Sequence, residues 1–185
     1  MSGEPGTRQQ PFEPDPGTGG KRKRNSCKVI VIGFDGRVLL TRNRDALGDF
    51  FLLPGGGQRF GETLRDAARR EVLEETGYSV DVGRLLLVRD YIARNHEFCL
   101  EEGDVHQVEF MFEGRILDGR VTPDTAAGGS SPDAWQTGFE WVPVEDLATF
   151  AGTGDRRIYP SVLAGLIPML ARGESLPGTY LGDVN

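Results

Sequence analysis

Residues 55–78 read GGGQRFGETLRDAARREVLEETGY, and this stretch sets four Arg and five Gly among acidic residues, between two apolar strand-like runs. Residues 62–76 contain no Pro or Gly, are rich in Leu, Ala, Arg and Glu, and stop at Gly77, the usual residue just past a helix C-terminus. The segment is therefore predicted to be a helix. At about 100° per residue, Glu71, Glu74 and Glu75 fall on one side, along the stripe of Leu64, Ala67 and Ala68. Arg65, Asp66, Arg69 and Thr76 fall on the opposite, hydrated side.

Three carboxylates beside a buried face repel one another, and the repulsion grows as the dielectric falls, so the arrangement needs a compensating charge. A divalent cation would supply it. An oxygen-only cluster without His or Cys favours magnesium or manganese over zinc, with waters and a substrate phosphate oxygen completing the shell. The plainer reading is a solvated acidic face, which is common on helices. The flanking glycines and the face assignment favour the metal.

From Gly56 there are five residues to Glu62, seven more to Arg70 and Glu71, then Val72, Leu73, Glu74, Glu75, Thr76, Gly77 and Tyr78. This pattern resembles the Nudix box of Nudix hydrolases, with every charged and glycine position filled over 23 residues. Tyr78 is the one departure, an aromatic where an aliphatic residue is usual. The resemblance implies an α/β (α+β) fold, an α/β/α sandwich with a mixed β-sheet, and hydrolysis of a nucleoside diphosphate linked to a moiety X. It implies that Glu71, Glu74 and Glu75 are metal ligands, together with the Gly55 carbonyl, and that Arg70 orients a glutamate. Glu62 then supports the site from behind the ligands.

Length and composition predict a single domain over residues 26–173, with residues 1–25 a disordered tail and residues 174–185 a C-terminal tail. No apolar run reaches 18 residues and no apolar stretch follows the basic residues near the N-terminus, so neither a membrane span nor a secretory signal is expected, which points to the cytoplasm. Cys27 and Cys99 read as reduced structural thiols. Beyond the first 25 residues the chain has 16 basic and 25 acidic residues, a net charge near −9, which argues against nucleic-acid binding. A homodimer stays open.

Residues 27–34 (CKVIVIGF) and 37–41 (RVLLT) are β-rich runs joined at Asp35-Gly36, a hairpin signal. Arg42 and Arg44 follow and could contact phosphate, with surface charge the plainer reading. Residues 80–93 and 105–112 are read as strands, flanking the loop RNHEFCLEEGD (94–104). That loop is where a general base is expected, with Glu101 and Glu102 leading among Glu97, Asp104 and Glu109. Phe60, Tyr91 and Phe98 could stack a base, and Glu109 could point at the substrate. Residues 121–132 have the composition of a loop, 139–142 of a strand, 143–150 of a short helix and 161–171 of an apolar helix disturbed by Pro168. The competing function is a non-catalytic Nudix-like sensor that binds a nucleotide. A pure binder has no need of three metal-binding glutamates, so the hydrolase is preferred.

Overall fold

The computed structural model describes residues 23–96, 105–117, 135–151 and 155–184. The chain runs β1 (Lys23–Val31), β2 (Arg37–Asp45), β3 (Gly48–Leu52), β4 (Gly55–Gly57), α1 (Leu64–Thr76), β5 (Val80–Ile92), β6 (His106–Ile116), β7 (Gln136–Pro143), β8 (Arg156–Tyr159), α2 (Leu163–Ala171) and β9 (Tyr180–Asp183). Single 3-10 segments at Ala93–Asn95 and Val144–Ala151 link strands. The fold is mixed α+β, as expected, and among the described residues the strands form two mixed sheets. The first has the order β4-β1-β6-β5-β9 and the second β7-β2-β3-β8.

The split begins at the predicted hairpin. Gly36 takes a left-handed φ of 74° and the turn closes through Gly33 N–H to Arg37 O at 2.7 Å, yet β1 and β2 share only the Ile32–Val38 bridge before diverging into different sheets. Alternation along the strands then builds two cores. Cys27, Val29 and Val31 of β1, Leu39 of β2 and Phe112 of β6 pack under Ala67, Ala68 and Val72 of α1. Ile30, Val38, Leu40 and Met111 face the other way, against Phe51, Phe150 and the α2 residues Leu163 and Ile167. The sheets thus lie between α1 and α2.

Three further expectations are corrected. Thr76 is buried, its hydroxyl donating to the Val72 carbonyl at 2.6 Å, because the buried stripe of α1 is Ala67, Ala68, Val72 and Thr76. That stripe is rotated from the one read in sequence. Part of the expected C-terminal tail is a strand, β9, parallel to β5 and pinned by Asp183, which accepts from Asn95 at 2.6 Å. Asn25 and its neighbours from Lys23 belong to β1, where pairing with β6 satisfies backbone that a free tail would leave to water. Residues 121–132 lie outside the described residues, and α2 begins at Leu163 and continues through Pro168. Tyr78 has a clear packing role: its ring meets Phe139 and Trp141 edge-on, each at 5.8 Å, and its hydroxyl accepts from the Trp141 indole at 3.2 Å.

Candidate active site

Strand β4 runs against β1 because Gly55 and Gly56 let the backbone pass where no side chain fits. Gly55 has φ 138°, and a Cβ there would lie 2.0 Å from the Cys27 carbonyl oxygen. A Cβ on Gly56 would lie 2.6 Å from the Glu71 carboxyl carbon. From β4 the chain turns through Gln58, whose side chain is held by Asn25 at 2.8 Å and itself donates to the Glu62 carbonyl at 2.7 Å. Helix α1 then starts at Thr63, whose hydroxyl accepts from the Asp66 N–H.

Arg70 gathers the box. Its guanidinium donates to both Glu62 oxygens at 2.7 and 3.0 Å, to Glu71 at 2.7 Å, to Glu74 at 3.2 Å and to the Gly57 carbonyl at 3.0 Å. Arg59 reaches Glu74 from the loop at 3.4 Å, and its backbone N–H donates to Glu62 at 2.9 Å. The Arg70 bonds, then the Arg59 N–H, pull the Glu62 carboxyl down to a pKa of about 2, so it stays ionised at neutral pH. The same carboxylates push the Arg70 guanidinium further up. Glu75 points at β4 and accepts from the Gly55 N–H at 2.8 Å. On the other side of the same residue, the Lys28 ammonium donates to the Gly55 carbonyl at 2.5 Å.

Gly55 and Gly56 also form one wall of a cleft between the two sheets, lined by Lys28, Phe50, Arg89, Gln107 and Glu109 among others. A string of polar contacts crosses its floor. Arg24 donates to Gln107 at 2.8 Å, Gln107 to Glu109 at 2.9 Å, Arg89 to Glu109 at 2.5 Å, and Arg89 again to the Val184 carbonyl at 2.6 Å. Arg89 and Glu109 are both buried, so each neutralises the other where water cannot. Phe50 meets the rings of Trp135 and Tyr159 edge-on, giving the opposite wall an aromatic surface.

The structure brings together Gly55, Glu62, Arg70, Glu71, Glu74 and Glu75 around the β4–α1 turn, and sets Glu109 in the adjoining cleft. It does not bring Arg42 or Arg44 to either place. Arg44 pairs with Asp49 at 2.6 Å on the surface, and neither arginine lines the cleft. Phe60 is fully exposed, clear of the cleft. Phe98, Glu101 and Glu102 lie outside the described residues, as do Glu97 and Asp104. Cys27 is a buried free thiol whose pKa desolvation pushes up to about 11, and a structural role suits it. Sequence reasoning passed over Lys28 and Arg89. The available signal was a basic residue in an otherwise apolar strand, CKVIVIG and LLLVRDY.

No three acidic, His or Cys side chains converge as a preformed cation cage among the described residues. Arg70 explains part of this, since it holds Glu71 and Glu74 while Glu75 is turned to Gly55. No described helix is long and apolar enough to cross a membrane.

Comparison with known proteins agrees with this geometry. The family profile described as NUDIX domain matches residues 22–162. An RNA pyrophosphohydrolase of Halorhodospira halophila is 31% identical over 153 residues, covering 77% of this chain and 79% of that protein. A putative 8-oxo-dGTP diphosphatase of Bacillus subtilis is 29% identical over 122 residues, covering 66% and 68% respectively. Among solved structures, a NUDIX hydrolase from Nitrosomonas europaea superposes with a TM-score of 0.60 at 20% identity, over 84% of this chain and 93% of that one. With the profile matched across most of its length and a relative 31% identical over more than two thirds of both chains, this chain belongs to the Nudix hydrolase family.

Proposed function

We propose that the chain hydrolyses a diphosphate bond in a nucleoside diphosphate joined to a second moiety X, with magnesium or manganese held by Glu71, Glu74, Glu75 and the Gly55 carbonyl. The observation that carries this reading is the gathering of three box carboxylates, Glu62, Glu71 and Glu74, around Arg70, with Glu75 turned to the Gly55 wall of the adjoining cleft. The residues fit a hard divalent cation in chemistry. Their donors are all oxygen, the Gly55 carbonyl already faces a cationic group in Lys28, and Gly56 leaves room for the Glu71 carboxylate. When bound, the cation would neutralise phosphate oxygens and acidify water.

The chain's own residues do the rest. Arg70 restrains Glu71 and Glu74 so that little side-chain entropy is lost when ligand binds. Glu62, kept ionised, anchors Arg70 without competing for phosphate. The Trp135 and Tyr159 rings, packed on buried Phe50, and the polar floor at Gln107 and Glu109 offer a nucleoside both a stacking surface and hydrogen-bonding groups. Glu109 is already engaged by Arg89 and Gln107, so the proton acceptor is assigned to the acidic segment at residues 97–104, with Glu101 and Glu102 leading. Singly, Glu101→Gln or Glu102→Gln should lower kcat by roughly 10²-fold if that residue is the base.

The negative body favours a small substrate bridged by cations over a long nucleic acid. The H. halophila relative's description as an RNA pyrophosphohydrolase favours a second reading, a 5′-triphosphate end. A panel of ADP-ribose, a nucleotide sugar, a dinucleotide, nucleoside triphosphates and a 5′-triphosphorylated oligoribonucleotide, each with magnesium and followed by phosphorus NMR, separates the two. Cleavage of ADP-ribose, the sugar or the dinucleotide supports the first reading, and release of pyrophosphate from RNA alone the second. Binding without turnover across the whole panel would contradict both.

A further inference from the structure

The chain carries 21 basic residues, of which only Lys21, Lys23 and Lys28 are lysines, so Lys28 is the one lysine beyond the first residues of β1. Everywhere else in the domain a positive charge is needed, arginine supplies it. Lysine differs in being a compact point charge on a flexible stem, able to approach a single oxygen end-on and to leave it again, where a planar guanidinium demands a fork of acceptors. Lys28 makes such an end-on approach. Alternation along β1 sends Cys27 and Val29 into the core under α1, so Lys28 projects to the opposite face with Ser26 and lines the cleft. Its register against Gly55 puts the ammonium 2.5 Å from the Gly55 carbonyl oxygen.

That oxygen is one of the four donors to which the cation is assigned above, and the present inference rests on that reading. A divalent ion needs about 2.0–2.1 Å to its oxygen ligands, so on the two lone pairs of one carbonyl an ammonium and the ion would stand only about 4 Å apart, and their repulsion disfavours sharing the oxygen. The arriving cation therefore drives Lys28 off the carbonyl by charge repulsion. On the cleft side, Glu109 is a weakened partner for it, because its charge is already matched by Arg89 and its other oxygen accepts from Gln107. What the cleft would offer a displaced ammonium is the phosphate of a bound substrate, which enters beside Gly55.

We propose that Lys28 is an exchangeable internal cation: it occupies the Gly55 carbonyl in the empty enzyme, yields it to the divalent ion, and then binds the substrate's diphosphate from the cleft side. It follows that Lys28 opposes metal binding in the free protein and assists phosphate binding once metal is present. A residue that only packed against β4 would do neither.

The test uses the full chain, with Mn²⁺ alone as the first probe, measured by electron paramagnetic resonance of the free ion. Lys28→Met and Lys28→Gln, the latter retaining a donor toward Gly55 without the charge, should each bind Mn²⁺ at least about threefold more tightly than the parent. With saturating Mg²⁺, methylenediphosphonate, a diphosphate that cannot be hydrolysed, should bind each variant about tenfold more weakly. In the unmutated protein labelled at lysine side chains, the Lys28 resonance, identified by its loss in Lys28→Gln, should shift when Mg²⁺ is added. Metal affinity unchanged or weakened in both variants overturns the proposal, as does a Lys28 resonance indifferent to Mg²⁺ in a protein that binds the ion. If the unmutated protein binds no Mn²⁺ at all, the metal reading itself falls and takes this proposal with it. Should both variants fail to fold, the resonance of a Lys21→Arg, Lys23→Arg protein, in which Lys28 is the one lysine left, decides alone.

Discussion

Arg70→Met removes the guanidinium that holds the box together while keeping most of the apolar stem. Arg70 and its partners Glu62 and Glu71 have side chains only 16%, 21% and 17% exposed, whereas Glu74 is 47% exposed. A hydrogen bond to a charged group contributes roughly 1.5–3 kcal/mol when sheltered and much less in water. Counting Glu62 and Glu71 toward the low end and Glu74 as negligible gives a loss of about 2–4 kcal/mol, before the repulsion among the released carboxylates is added. For a domain of this size that is a fall in Tm of roughly 5–15 °C. The released glutamates should also gain more from a cation than the parent's do. At a magnesium concentration of 100 times Kd the gain approaches about 2.7 kcal/mol, enough to restore much of the loss. Thermal unfolding of parent and variant, with and without millimolar magnesium, measures both effects. A Tm within 2 °C of the parent, or a variant that gains no more from magnesium than the parent, would refute the account of Arg70 as the cluster's internal counter-charge.

Other predictions follow from the same contacts. Gly56→Ala should leave a folded protein with at least tenfold lower turnover, because the new Cβ meets only the movable end of Glu71, whereas Gly55→Ala should unfold or fail to express, since its Cβ meets the Cys27 backbone; circular dichroism and kcat distinguish them. Glu62 has a folded pKa depressed to about 2 from an ordinary 4.5, so the stability it contributes is present above pH 4.5 and lost as pH falls toward 2. Urea unfolding of Glu62→Gln should therefore show a shallower decline across that window than the parent, and parallel curves would contradict the assignment. With Cys99→Ser in place, native protein at pH 8 should not react with a thiol reagent until denatured, because burial holds the Cys27 thiol protonated.

How much of this was legible in the sequence depended on the range of the interaction that fixes each feature. Helix α1, its Gly77 stop and the membership of Glu62, Arg70, Glu71, Glu74 and Glu75 in one cluster are local, set by spacing within 14 residues. The rotation of the buried stripe, which took Thr76 inside, is not local, because it is decided by how α1 meets β1 and β5. The Asp35-Gly36 turn was legible, but whether the flanking strands pair depends on partners far along the chain: β6 for β1 and β7 for β2. Strand β9 was read as tail because four residues, YLGD, carry no period strong enough to reveal an edge strand, and pairing with β5 is what orders them. The cleft was the hardest to see. Lys28, Arg89 and Gln107 come from three strands that only the sheet brings side by side, and each alone looks like a stray charge or amide in a strand.

The central claim, that box glutamates bind a divalent cation to hydrolyse a diphosphate, is tested most directly by turnover against magnesium concentration for the parent, Glu74→Gln and Glu75→Gln on whichever panel substrate the parent cleaves. The account predicts that turnover depends on the ion and saturates with it. Each substitution should lower it by roughly 10² or more at saturation while the protein stays folded, as expected when a charge that organises the ion is removed. Both variants matching the parent at saturating magnesium, or a parent equally active after the ion is chelated, would contradict it.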